Sequence, residues 1–323
     1  MKALVFDKEL KLEDDYPVPG PHAGEVLIKT RMVGICNTDF EITKGYMGYK
    51  GVLGHEFTGE VIEGDGSFDT TGWLGKRVVG EINCGCGSCE LCTRGLARHC
   101  MARQTLGIWQ KDGCFSEFFT LPVANLIEVP DNVSDEEAVF TEPIAAAMEI
   151  FEQLHIKPAD KVALLGDGKL GLCISLVLSA MNVDFVHIGK HENKLVISRA
   201  TGAETMLLDK LDRKHDKSFD IVIEATGSVG GFETSLLLVK PRGVLVLKST
   251  IAAKEGLNLA PVVIDEITVL GSRCGQFAPA IRLLERKAID VKPLITAVLP
   301  FDRAIEGFEK NKQKDTLKVL LKF

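Results

Sequence analysis

No run of apolar residues in this chain is long enough to cross a bilayer as a helix. The longest, Leu170–Val183, is interrupted by Ser175, Ser179 and Asn182, and a spanning helix needs about 20 predominantly apolar residues. Met1–Phe6 runs straight into Asp7-Lys8-Glu9, so the apolar core of a secretory signal is missing and a cytoplasmic location is expected. An excess of positive charge is missing too. With 38 basic against 45 acidic residues the net charge is −7, which disfavours nucleic acid or an anionic membrane as the main partner. Internal repeats and low-complexity segments are absent. What remains is an ordinary folded composition, 46% apolar and 26% charged. Its 323 residues suit two domains at about 100–200 residues each.

The nine cysteines need an explanation other than disulfides, because the cytosol keeps thiols reduced. Five of them fall between Cys84 and Cys100. Cys86-Gly-Ser-Cys89-Glu-Leu-Cys92 makes two Cys-x-x-Cys steps, and Cys100 adds a fourth thiol. Tetrahedral zinc binds four thiolates at about 2.3 Å, and a site closed by four protein ligands is structural. The alternative is a set of buried or redox cysteines. Cys84 is out of phase and reads as a spare thiol, while His99 could stand in for Cys100.

Glycine and proline punctuate the first 130 or so residues, with short β-type runs such as Glu25–Val33, Gly59–Glu63 and Phe115–Leu121 between them. The texture changes near Ser134-Asp-Glu-Glu, a helix N-cap with acidic residues in its first turn. Six apolar runs follow: Lys161–Leu165, Asp184–Ile188, Thr205–Leu208, Phe219–Ile223, Gly243–Lys248 and Ile267–Gly271. Helical patterns at Lys169–Ala180, Glu192–Thr201 and Gly230–Val239 separate several of them. Such alternation predicts an α/β, doubly wound parallel sheet. From Pro279 two helical segments and a closing strand, Thr316–Phe323, are expected.

Val162–Leu165 leads into Gly166-Asp167-Gly168-Lys169-Leu170-Gly171 and then an apolar helix. Strand, Gly-x-Gly-x-x-Gly and helix together form a dinucleotide fingerprint, with pyrophosphate expected at the helix N-terminus. NAD users carry a carboxylate at the end of the next strand. Here that strand ends in Gly189-Lys190-His191, with Lys194 beyond, and Asp184 lies at its opposite end. Room and cations there suit a 2′-phosphate, so NADP is expected, with NAD as the alternative.

Gly34-Ile-Cys36-Asn-Thr38-Asp39 and Gly54-His55-Glu56 are each weak alone. In this order, ahead of the four-cysteine segment, the fingerprint and Thr141-Glu142-Pro143, the chain resembles the zinc-containing medium-chain alcohol dehydrogenases, polyol and threonine dehydrogenase branch, over essentially its whole length. The resemblance implies a GroES-like β-rich catalytic domain (1–140) with a structural-zinc lobe, a Rossmann domain (141–276), and a return to the catalytic domain (277–323). It implies catalytic zinc on Cys36 and His55, with Glu142 as third ligand or supporting a bound water, and Glu56 beside the metal and able to enter its shell. Thr38 is then placed to carry the alcohol proton outward. Glu41 stands where relatives often have a relay histidine; it is either a relay or a surface residue. Thr226, Ser272 and Arg273 are implied near the cofactor, and Lys318 is either near the pyrophosphate or solvated. The expected activity is hydride transfer between an alcohol or polyol, or the matching carbonyl compound, and NADP(H). The expected assembly is a homodimer, with a homotetramer as the alternative. A zinc-independent quinone reductase and a catalytically silent NADP-binding, zinc-stabilised protein are the competing readings.

Overall fold

The computed structural model describes residues 1–67, 69–250 and 256–323. The chain divides into two compact units. One comprises Met1–Glu142, Ala280–Arg286 and Leu294–Phe323, the other Pro143–Pro279 and Lys287–Pro293. The joins expected after residues 140 and 276 compare with 142 and 279, and Lys287–Pro293 returns to the second unit.

The first unit is organised by β1 (Glu25–Gly34), whose ten residues are buried except Lys29 and Arg31. It leads through Cys36 into α1 (Asn37–Thr43). β1 pairs antiparallel with β2 (Phe57–Gly64), and β2 with β3 (Arg77–Gly80). β4 (Phe118–Pro122) pairs with β1, and β5 (Leu126–Glu128) with β3. Helix α2 (Thr141–Gln153) follows.

The second unit is the parallel sheet. β6 (Val162–Leu165) is buried at all four positions, as a strand covered on both faces requires. Helix α3 (Lys169–Ala180), β7 (Phe185–Gly189), α4 (Glu192–Arg199) and β8 (Glu204–Leu207) complete one half. β9 (Phe219–Glu224), α5 (Val229–Leu238), β10 (Val239–Leu247), the short α6 (Ala260–Ile264) and β11 (Thr268–Gly271) form the other. The order β8-β7-β6-β9-β10-β11 reverses direction between β6 and β9, the place where a doubly wound sheet binds its nucleotide. Leu165, Ile188, Val222, Phe232 and Leu236 are among the side chains that fill the core. Each contributes about 1.5–3 kcal/mol on burial.

The tail holds more than the sequence suggests. Besides a helix at Phe277–Glu285, α7 (Ala304–Asn311) and β13 (Lys318–Lys322), it contains β12 (Ile295–Pro300), a strand missing from the expected elements. β12 alternates half-buried and exposed residues, a weak signal with Thr296 and Ala297 in it. It pairs parallel with β13, which lies antiparallel to β1 and adds both to the main sheet of the first unit.

Candidate active site

The four cysteines of the lobe meet. Cys86, Cys89, Cys92 and Cys100 place their sulfurs within 4.8 Å of one another, and those of Cys89 and Cys100 are 3.7 Å apart. Backbone N–H groups of Ser88 and Cys89 pull the Cys86 thiol down to about 6, whereas burial pushes Cys92 up to about 12. Four thiolates this close repel unless a cation lies among them. The donor set therefore fits a closed tetrahedral zinc site. Cys84 is buried outside the group and His99 is exposed.

The second cluster is assembled from separate elements. β1 ends at Gly34, the Ile35 N–H donates to the Val319 carbonyl on β13 (3.0 Å), and Cys36 then caps α1. The Cys36 N–H donates to Asp39 Oδ2 at 2.8 Å. Gly54 precedes the His55-Glu56 pair at φ +95°, and a Cβ there would fall 2.3 Å from the Phe115 ring, so only glycine fits. Cys36 Sγ, a ring nitrogen of His55 and a carboxylate oxygen of Glu56 lie within 4.8 Å of one another. His55 and Glu56 are buried and Cys36 is half-buried.

Two further residues, neither expected at this cluster, complete it. Asp39, fully buried, sets Oδ1 3.4 Å from His55 Nδ1. Burial alone would lower the imidazole pKa, but the charges of Asp39 and Cys36 override it and hold it well above its ordinary value. The contact is an ion pair and not a formed hydrogen bond, leaving His55 Nδ1 and Asp39 Oδ1 unsatisfied. Lys318, also buried, pairs with Glu56 Oε2 and lies 5.8 Å from the centre of the Phe140 ring. It is therefore not solvated. Asp39 closes the Gly-x-Cys-x-Thr-Asp motif but carries no role in the sequence reading, and the pairing of Lys318 with Glu56 has no local signal.

The carboxylate converging with Cys36 and His55 is that of Glu56. Glu142, the third ligand implied by resemblance, sits half-buried in the first turn of α2, outside the group. Thr38 Oγ1 is 3.7 Å from Cys36 Sγ. Glu41 is exposed and paired with Lys44 at 2.8 Å, an ordinary surface residue. A thiol, an imidazole and a carboxylate converging in a largely buried cluster fit an open zinc site.

In the second unit Gly166 adopts φ +120° at the end of β6, and a Cβ on Gly171 would fall 1.9 Å from the Gly166 carbonyl oxygen. Gly166 and Gly171 are thus sterically required, whereas a Cβ on Gly168 would meet nothing within 4 Å. His187, fully buried on β7, holds this turn. Its Nε2 donates to the Gly166 carbonyl (2.9 Å), which can only accept, so Nδ1 accepts from Ser198 Oγ (2.7 Å). Gly168 is exposed, while Lys169 and Leu170 open α3 half-buried. Asp167 is buried and reaches β7, where Oδ2 accepts from the N–H groups of Lys190 (2.7 Å) and His191 (2.6 Å). The Lys190 side chain is exposed and Lys194 is buried on α4. Thr226, exposed after β9, donates from N and Oγ1 to Glu224 Oε1 at 2.6 Å. Buried Ser272, after β11, meets Lys248 Nζ at 3.0 Å, and Arg273 is exposed.

Residues 22–131 match the alcohol dehydrogenase GroES-like domain, and residues 170–286 match the zinc-binding dehydrogenase family. A sorbitol dehydrogenase of Halalkalibacterium halodurans is 28% identical over 96% of this chain and 94% of its own. The crystal structure of an Escherichia coli alcohol dehydrogenase complexed with NADH superposes with a TM-score of 0.90 at 27% identity, covering 100% of this chain and 99% of that one. A zinc-binding dehydrogenase from Sinorhizobium meliloti bound to NADP shares the fold, with a TM-score of 0.90 at 24% identity over 100% and 99% of the two chains. Among the described residues no helix is long and apolar enough to cross a membrane. With both family domains matched and relatives aligned along nearly its whole length, the chain belongs to the zinc-containing medium-chain alcohol dehydrogenases, in their polyol branch, and is an NAD(P)-dependent oxidoreductase.

Proposed function

We propose that this protein interconverts a small alcohol or polyol and its aldehyde or ketone, moving the hydride to or from a nicotinamide dinucleotide. One zinc would be held by Cys36, His55 and Glu56, and a second by Cys86, Cys89, Cys92 and Cys100. The observation that carries this reading is the buried convergence of Cys36, His55 and Glu56. Zinc in an open site supplies Lewis acidity, lowering the pKa of a bound hydroxyl as it lowers that of water, toward about 7.

The chain's own residues do the rest. The Thr38 hydroxyl, beside Cys36, is placed to accept the substrate's proton and pass it outward. Asp39 fixes the His55 ring through Nδ1 and leaves Nε2 for the metal. Lys318 offsets the buried charge of Glu56 through Oε2. The Gly166–Gly171 turn and the first amides of α3 suit the pyrophosphate. Read along the chain, Gly189-Lys190-His191 suits NADP; the Asp167 carboxylate on the N–H groups of Lys190 and His191 opposes it. Exposed Val263 (77%) and Ile264 (79%) of α6, near the unpaired edge of β11, support a homodimer over a monomer.

Metal analysis, combined with assays of alcohols, polyols and aldehydes with both cofactors, tests the reading. Two zinc ions per chain and turnover of a hydroxyl or carbonyl substrate are expected. One zinc or none, or turnover that survives full chelation, would overturn it.

A further inference from the structure

We infer that Asp167 selects the cofactor's phosphate form, and that it selects NAD(H) over NADP(H). The inference rests on the nicotinamide reading above and deepens it. In a doubly wound sheet the adenosine ribose lies at the carboxyl end of the second strand, where a carboxylate accepts from its hydroxyls. β7 ends in Gly189 and carries no such group. The structure supplies one from another element. Asp167, two residues beyond β6, crosses to the end of β7 and is 7% exposed there.

Its position answers the anion question directly. The N–H groups of Lys190 and His191 are two successive backbone donors, the kind of concave pair that binds an anion. Asp167 Oδ2 already accepts both, at 2.7 and 2.6 Å, and the His191 imidazole closes on the same oxygen at 3.0 Å. A 2′-phosphate would have to displace this carboxylate or lie against it, and like charges in a partly dry site repel. Oδ1 makes only a 3.2 Å contact with His191 Nδ1. It keeps the capacity to accept from the ribose 2′-hydroxyl, the donor that 2′-phosphorylation removes.

The same geometry changes the meaning of Gly189. A Cβ there would fall 2.7 Å from both Cβ and Oδ2 of Asp167. Glycine at this position makes room for Asp167 and not for a phosphate. Of the two lysines here, Lys190 is exposed, its charge screened by solvent, and Lys194 is buried on α4.

The test is titration of the zinc-loaded protein with NADH and with NADPH, followed by nicotinamide fluorescence. Wild type should bind NADH at least about tenfold more tightly. Asp167→Asn, which keeps the shape and removes the charge, should move the NADPH-to-NADH affinity ratio at least about tenfold toward NADPH. A purely structural role for Asp167 would weaken both nucleotides alike and leave the ratio unchanged, which would overturn the inference. So would equal or tighter NADPH binding by wild type, a measurement that stands even if the variant does not fold. Failure of both nucleotides to bind would instead remove the nicotinamide reading, and this inference with it.

Discussion

The two clusters proposed to hold zinc in the first unit reach similar compactness by opposite routes. The cysteine lobe draws its four sulfurs from one short segment, Cys86 to Cys100, and only Cys100 is buried. The Cys36, His55 and Glu56 cluster draws on two separate segments, keeps His55 and Glu56 buried, and is backed by the buried charges of Asp39 and Lys318. A closed site needs only its ligands, because all of the coordination is internal. An open site must hold its geometry while a position stays free, and here that work falls to the residues behind the ligands. Loss of the lobe should therefore show in stability and loss of the buried cluster in turnover.

The largest effect is expected at the buried ligands. Cys36→Ser or His55→Ala should abolish turnover and lower zinc to one per chain while NADH binding, in the other unit, survives. Metal analysis and nucleotide titration on the same preparation check this. Next comes Lys318→Met, which leaves the Glu56 carboxylate buried without a partner. A broken buried pair costs about 3–5 kcal/mol, so urea unfolding should show a loss of that order. A loss below about 1 kcal/mol would place the pair in water. Asp39→Asn should follow, with roughly 10–100-fold weaker zinc binding or activity, as for other partners of ligating histidines. Competition with a chelator measures it.

Cys86→Ser sharpens the contrast from the other side. It should cost the lobe its zinc and lower the melting temperature, since a closed site contributes directly to folding. Residual turnover should exceed that of the Cys36 variant. The smallest effect is expected away from both clusters. Burial lowers the His187 pKa and keeps the imidazole neutral. The unfolded chain takes up a proton there below about 6.5, and the folded chain only at lower pH. Stability of the second unit should thus fall as pH drops below that value. In melting curves between pH 7 and 5, His187→Gln should lose less stability on acidification than wild type.

Legibility in the sequence followed distance along the chain. The six parallel strands, the fingerprint and the cysteine lobe could be read because each is a local pattern: an apolar run, a glycine spacing, a thiol spacing. The place of Glu56 was half legible, since it adjoins His55, but its convergence with Cys36 depends on how the turn before β2 approaches α1. The Glu56–Lys318 pair joins residues 262 apart and has no local signature. The setting of Asp167 was not legible for a related reason. Read along the chain it is a variable position between two glycines, and only the lateral neighbourhood of β6 and β7 brings it to Lys190 and His191. β12 was missed because its alternation is interrupted by small and polar residues.

The place of β13 in the first sheet has a consequence for the order of assembly. β1 and β2 can pair soon after synthesis, and so can the segments carrying Cys36, His55 and Glu56. The lysine that neutralises Glu56 follows it by 262 residues and is made only after the parallel sheet. Until then the ligand trio carries an unbalanced carboxylate and lacks one wall of its strand. The nascent chain can thus complete its nucleotide fold and its cysteine lobe first, and its catalytic pocket matures last.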